Sequence, residues 1–178
     1  MTESLTPFIK PQTSMKTFHL KLVQIIFAGL LFGSCMPEED GIYFEKIAES
    51  KFEYSTIELE ILDLVNNYRA TKNLPQLTKH NFISSVAATH TNYMLQTGVV
   101  SHDNFPERNE NLVTNENAKK VGENVAYGFS SARGVVNAWI KSDGHRAIIE
   151  NESYTHFGIS TEKNEDGKYF FTHMFIEK

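Results

Sequence analysis

The order of the hydrophobic periods along the chain constrains its fold more than any other feature. Apolar side chains recur at helical spacing over residues 57–68 and again over residues 82–94. The segment 156–177 instead carries two apolar runs around a turn that ends in Asp166-Gly167, which predicts a β-hairpin. Helices early in the chain and antiparallel strands late in it indicate an α+β domain.

Local start and stop signals place the individual elements. The first helix begins at the capping box Ser55-x-x-Glu58 and should end near Asn73, because Pro75 disfavours helix at the residue before it. A second helix is predicted over residues 79–97, with Gly98 as its stop, and a third over residues 131–142. The polar, asparagine-rich stretch 99–121 predicts a long loop or a broken helix, and residues 123–129 predict a short strand.

The single cysteine, Cys35, follows a short apolar run. Residues 22–32 are only 11 residues long, too few to cross a bilayer of ~30 Å as a helix. Lysines flank the start of the run and Gly33-Ser34 follows it, which is typical of a secretory signal. The small pair directly before Cys35 resembles the lipobox of bacterial lipoproteins, and that resemblance implies a lipidated cysteine at the mature N-terminus. A plain signal peptide and a buried hydrophobic helix are the alternatives.

These signals divide the chain into four parts. Residues 1–14 have no signal character, so we expect translation to start at Met15. Residues 15–35 form the lipoprotein signal peptide, residues 36–54 a tether, and residues 55–178 the globular domain. The acidic run that opens the tether indicates a solvated linker, with a surface-export signal as the alternative. We therefore expect an exported cell-envelope lipoprotein in the outer or cytoplasmic membrane, or at the cell surface.

Charge and cysteine content exclude some classes of function. With 17 basic and 22 acidic side chains the net charge is −5, and the chain has no long block of Lys or Arg. Nucleic-acid binding is therefore not expected, because it needs a basic surface. The part after Cys35 contains no cysteine, so the exported domain has no disulfide of its own.

The sequence lacks the common catalytic motifs, including H-E-x-x-H, G-x-S-x-G, a Walker loop and C-x-x-C. What remains is a set of polar residues at the predicted edges of elements. They are His102 in "VSHDNF", Glu123 in "GEN" and His145 in "SDGHRAII". Two imidazoles and a carboxylate can bind a divalent ion or relay a proton. Their separations of 21 and 22 residues do not by themselves bring them together.

Five segments, taken in order, resemble one known family. They are "LVNNYRATKNLPQL", "AATHTNYMLQTGVVSHDNF", "VGENVAYGF", "AWIKSDGHRAII" and "THFGIS". In order and spacing they resemble the CAP superfamily, named for cysteine-rich secretory proteins, antigen 5 and pathogenesis-related 1 proteins. The similarity is strongest to bacterial members without disulfides and covers residues 55–178. It implies an α–β–α sandwich around a small central antiparallel sheet.

The resemblance also implies a cleft lined by two histidines and two glutamates. His102, Glu123 and His145 match the first histidine, the first glutamate and the second histidine. Ser142 stands where many members carry the second glutamate, so the set is incomplete here, and neighbouring Asp143 is a candidate substitute. In some relatives this cleft binds divalent cations such as zinc, and others bind lipids. The resemblance thus suggests a metal held by His102, His145 and Glu123, or a small lipid-like ligand.

Three functions are compatible with these observations. The first is a lipid-anchored extracytoplasmic binding module whose cleft holds a divalent metal or a small ligand. The second is a metal-assisted hydrolase of an envelope peptide, lipid or glycan, with Glu123 as the base. The third is a protein–protein adaptor with a vestigial cleft, whose protein partners the sequence does not identify.

Other polar residues have simpler expected roles. We expect His90 to be a hydrogen-bonded core histidine, and His156 and His173 to pack within the hairpin or face solvent. Asn66 and Arg69 match the family's N-x-x-R on the first helix, and we expect them to brace that helix rather than to contact a substrate. Arg108 should either anchor its loop or contact the ligand.

Overall fold

A computed structural model describes residues 52–178. The expected signal peptide, the expected lipidation of Cys35 and the expected start at Met15 lie outside these residues. The described part forms five helices and four strands in this order: α1 (Thr56–Thr71), β1 (Thr78–Lys79), α2 (Asn81–Thr97), α3 (Phe105–Glu116), β2 (Lys120–Tyr127), α4 (Ala132–Lys141), α5 (Asp143–Ile149), β3 (His156–Lys163) and β4 (Tyr169–Glu177). None of these helices is long and apolar enough to cross a membrane.

The sheet has the strand order β1-β3-β4-β2. Its three long strands are antiparallel, and β3 and β4 form the hairpin predicted from the C-terminal apolar runs. The two-residue β1, which the sequence did not predict, adds a parallel pair with the start of β3. Because β1 and β2 lie at the two ends of this order, one side of β2 has no neighbouring strand within the described sheet.

Two helical layers cover the two faces of the sheet. Alternate residues of β4 point to opposite faces, as a strand requires. Phe171 and Phe175 join the core formed with α1 and α4, whereas Met174 and Ile176 join the core formed with α2. The predicted α+β class and the α–β–α sandwich are therefore confirmed.

The first helix begins as the sequence predicted and is also tied to the sheet. The Ser55 and Glu58 side chains form the reciprocal capping box. The Glu58 carboxylate additionally accepts a hydrogen bond of 2.7 Å from the backbone N–H of Thr161. Arg69, at the other end of α1, donates to the carbonyls of Pro75, Ile149 and Asn151, which confirms its bracing role.

The prediction of a loop or broken helix over residues 99–121 was wrong for its central part. Residues 105–116 form the continuous helix α3. Pro106 is compatible with this helix because it lies in the first turn, where no backbone donor is needed. The buried side of α3 carries Arg108, Leu112 and Glu116 at a spacing of four residues. Two of these three residues are charged, so the helix lacks the apolar periodicity by which a helix is recognised in a sequence.

Gly158 allows the close approach of α2 to β3 and offers a test of this packing. A Cβ atom there would contact the backbone N of Ser84 and lie 2.7 Å from the backbone C of Ile83. We expect Gly158→Ala to lower the free energy of unfolding by about 1–3 kcal/mol in a urea titration, because two packed backbones would have to separate. The control is Gly144→Ala in α5, where nothing lies within 4 Å. A helical alanine should stabilise there by up to about 1 kcal/mol. Equal effects at both sites would contradict this account.

Candidate functional site

A cleft of about 340 Å³ lies along the free side of β2, between α3 and α5. Its floor includes Val121, Gly122 and Glu123 of the strand. The remaining wall is His102 from the loop before α3, Phe105 from α3, Ile148 from α5, and Tyr154. Most of these side chains are apolar, so the cleft suits a ligand with an apolar body and few polar groups.

Glu123 is the centre of the polar part of this cleft. Its side chain is only 1% exposed and pairs with the equally buried Arg108. Arg108 Nε donates to Oε2 at 2.7 Å and Nη2 donates to Oε1 at 2.8 Å, so the pair is bidentate. Burial alone would raise the pKa of Glu123, but the hydrogen bonds from His102 and Arg108 outweigh it and lower the pKa. Glu123 is therefore a carboxylate at neutral pH.

His102 is oriented by this carboxylate. Its Nδ1 lies 2.8 Å from Oε1 of Glu123, and because a carboxylate only accepts, Nδ1 carries the proton. In the neutral ring Nε2 then keeps its lone pair, and it has no protein partner among residues 52–178. The imidazole is 53% exposed. A half-exposed ring with a fixed tautomer and a free Nε2 can accept a hydrogen bond or coordinate a metal ion.

His145 and Ser142 form a second, weaker pair next to the cleft. Nδ1 of His145 lies 2.8 Å from Oγ of Ser142, the residue at the position of the expected second glutamate. Burial lowers the pKa of His145, and positive charge on His102 lowers it further. Neither His145 nor Ser142 is part of the cleft wall. Asp143, the candidate substitute, is 93% exposed and pairs with Arg146 instead.

The backbone around both histidines is also held. Asn124, next to Glu123 on β2, donates from Nδ2 to the carbonyl of His145 at 3.1 Å. Arg108 donates from Nη1 to the carbonyl of Asp103 at 2.7 Å, so it anchors the loop after His102 as well as the carboxylate. Sequence reasoning left the role of Arg108 open and missed Phe105 and Tyr154 as cleft residues. No local signal marks the latter two, because they look like ordinary core positions.

The Glu123 carboxylate is already engaged by two side chains, whereas Nε2 of His102 has no partner among residues 52–178. Both oxygens of Glu123 already accept hydrogen bonds from Arg108. Within residues 52–178 no three His, Cys, Asp or Glu side chains are grouped so that they could hold a metal ion. This donor set does not fit a closed structural zinc site of four protein ligands. An open site would take Nε2 of His102 as a ligand, with Glu123 as the hydrogen-bond partner that orients the ring.

Comparison with known proteins agrees with the fold and the ordered motifs. The model of the family described as "CAP: Cysteine-rich secretory protein family" matches residues 62–175. The chain belongs to this family. The resemblance seen in the five sequence segments is therefore confirmed, and the CAP domain occupies most of the described residues.

Bacterial CAP-domain proteins are among the similar chains. An extracellular protein with an SCP domain from Bacillus anthracis has a solved structure that is 30% identical, with a TM-score of 0.59 over 68% of this chain and 40% of that one. The uncharacterized membrane protein YlbC of Bacillus subtilis is 28% identical over 70% of this chain and 35% of its own. An outer surface protein of Borrelia burgdorferi shares the fold at 21% identity and a TM-score of 0.60, over 66% of this chain and 90% of that one. The chain thus spans well under half the length of the first two.

Proposed function

We propose that this chain is an exported, membrane-anchored CAP-domain binding module. The cleft would hold a small ligand with an apolar body, whose polar group meets Nε2 of His102 directly or through a divalent ion shared with His145. The observation that carries the proposal is the buried Arg108–Glu123 pair, which fixes the tautomer of a half-exposed imidazole at an apolar cleft. Bound zinc would supply positive charge and open coordination positions for such a polar group.

Export and anchoring form part of the same proposal. They are supported by the signal-like segment that ends at Cys35 and by relatives described as an extracellular protein and an outer surface protein. A CAP domain tethered in this way would sample small molecules or lipids of the cell envelope.

The geometry favours binding over the alternative of a hydrolase with Glu123 as base. Both oxygens of Glu123 accept hydrogen bonds from Arg108, and these bonds help lower its pKa, so it is a poor proton acceptor. Its position instead suits orientation of His102. A protein–protein adaptor with a vestigial cleft would not require an ordered His102 ring, so the ordered ring favours the binding module.

Titration of the purified full chain with zinc and with lauric acid tests the proposal. We expect at least one probe to bind with defined stoichiometry. The His102→Ala/His145→Ala double variant should weaken zinc binding by about tenfold or more, since both proposed ligands are removed. His102→Ala alone should weaken lauric acid binding. Isothermal calorimetry gives both affinities.

His156→Ala is the matched control, because His156 is a partly buried histidine on β3 outside the cleft. It should leave both affinities unchanged. If the folded wild-type chain binds neither probe, the binding proposal is contradicted and the adaptor alternative gains. Equal losses in the double variant and in His156→Ala would show that the effect is not specific to the cleft.

A further inference from the structure

His102 lies in a segment without regular secondary structure, residues 98–104, between α2 and α3. The carbonyls on both sides of it are nevertheless held by buried side chains. His90 Nε2 lies 2.7 Å from the carbonyl of Ser101, and Arg108 Nη1 lies 2.7 Å from that of Asp103. The backbone at His102 is therefore held from α2 on one side and from α3 on the other.

His90 is well placed for this role, because it projects from the buried face of α2. Its exposed fraction is 1%, and its ring stacks on Tyr93 with centroids 5.8 Å apart and planes within 14°. The Tyr93 hydroxyl in turn donates to the Asp103 carboxylate at 3.2 Å. His90 therefore holds the backbone of Ser101, just before His102, and Tyr93 holds the side chain of Asp103, just after it.

The chemistry of the His90 ring is also defined. A carbonyl oxygen only accepts, so Nε2 of His90 carries the proton and Nδ1 has the lone pair. Burial lowers the pKa of His90 and outweighs the hydrogen bond to Ser101, which raises it, so the ring is neutral at pH 7. Nδ1 is buried and has no hydrogen-bond partner among the described residues. Such an unpaired nitrogen reduces stability, so packing alone does not explain a histidine here.

We propose that His90 is a positioning residue: through the carbonyl of Ser101 it fixes the loop so that the His102 imidazole meets Glu123. This inference rests on the proposed function for its consequence, since a displaced His102 would bind the ligand or metal poorly. The effect of His90 on the geometry of His102 can be tested separately from that function, because this geometry can be observed without a ligand.

The test compares three substitutions of His90 in the full chain. His90→Ala removes the donor, His90→Gln places an amide N–H at a similar reach, and His90→Asn places one too close to the helix. Nitrogen-15 NMR of the imidazoles reports whether His102 is a single Nδ1–H tautomer. We expect the single tautomer in the wild type and in His90→Gln, and a mixture of tautomers in His90→Ala and His90→Asn. Zinc affinity should fall by about tenfold in the last two.

Thr91→Ala is the control for general loosening of α2, because Thr91 is equally buried but bonds to Ser160 and Thr172 of the sheet. It should leave the His102 tautomer unchanged. A folded His90→Ala that keeps the single tautomer would overturn the proposal, and so would a Thr91→Ala that loses it. If His90→Ala does not fold, His90→Gln against His90→Asn decides the matter. A wild type that binds no zinc would contradict a metal-binding cleft but leave the tautomer result decisive for His90.

Discussion

Replacing His173 with leucine should raise the free energy of unfolding by about 1–3 kcal/mol at pH 7, and by about 3 kcal/mol more at pH 4. His173 is fully buried on β4, between the rings of Trp139, Phe157 and Phe175. Neither of its ring nitrogens has a hydrogen-bond partner among the described residues. Leucine has a similar volume and no polar atoms, so the gain at neutral pH comes from removing two unpaired buried nitrogens.

The additional gain at acidic pH follows from proton linkage. Burial lowers the pKa of His173 from the ordinary 6.5 to about 3. Between these values the unfolded chain binds a proton that the folded chain does not, so the wild type loses stability as the pH falls through 6.5 towards 3. At pH 4 this loss amounts to about 3 kcal/mol, since each pKa unit corresponds to about 1.4 kcal/mol. The leucine variant has no titratable group at this position, so it does not lose this stability at acidic pH.

Urea titrations at pH 7 and pH 4, followed by circular dichroism, would measure the effect. The control is Phe157→Leu, which alters packing beside His173, at a ring separation of 5.4 Å, without removing a titratable group. It should cost similar stability at both pH values. A His173→Leu variant that loses as much stability as the wild type between pH 7 and pH 4 would show that His173 is not the acid-sensitive group.

The elements that were predicted correctly from the sequence are marked by residues at their own ends or within their own span. The capping box at Ser55 and Glu58 starts α1, and Gly98 ends α2 in the left-handed conformation that favours glycine. The hairpin follows from two apolar runs around Asp166-Gly167, where Gly167 again has a positive φ. Each of these signals acts over a few residues, so local chemistry alone is sufficient to place them.

Two of the elements that were not predicted from the sequence, α3 and β1, depend on distant partners. The buried face of α3 includes Arg108 and Glu116, whose partners Glu123 and Lys178 lie 15 and 62 residues further along the chain. A search for apolar periodicity does not recognise a helix that buries charges. The short β1 is exposed along its length and exists because the start of β3 lies beside it. Neither fact can be seen in the residues of the element itself.

In the candidate site, too, some features could be predicted from the sequence and others depend on contacts between distant residues. The family resemblance identified His102 and Glu123, and the structure places them 2.8 Å apart. The backbone carbonyl of His145 accepts a hydrogen bond from Asn124, the neighbour of Glu123, and the His145 imidazole bonds to Ser142. What the sequence could not indicate is that Arg108 occupies both oxygens of Glu123. This contact and the hydrogen bond between Glu123 and His102 are the basis for our proposal that Glu123 orients His102.

Breaking the buried Arg108–Glu123 pair should therefore have large effects on both stability and the site. Removing one partner leaves the other charge buried and unpaired, which costs about 3–5 kcal/mol. We expect Glu123→Leu and Arg108→Met each to lower the free energy of unfolding at pH 7 by about this amount, measured in urea. Because the folded-state pKa of Glu123 lies below 4.5, the contribution of its carboxylate is present above that pH. It is lost as the pH falls through the lower folded-state value.

The double variant separates stability from function. With both charges replaced by apolar side chains no unpaired charge remains, so it should be more stable than either single variant, a strongly non-additive result. Its His102 should nevertheless lose the single Nδ1–H tautomer, because the carboxylate is gone. Costs that simply add in the double variant would show that the two side chains act independently. A stable double variant with a disordered His102 would instead show that this buried pair serves the cleft, since an apolar pair would serve the fold as well.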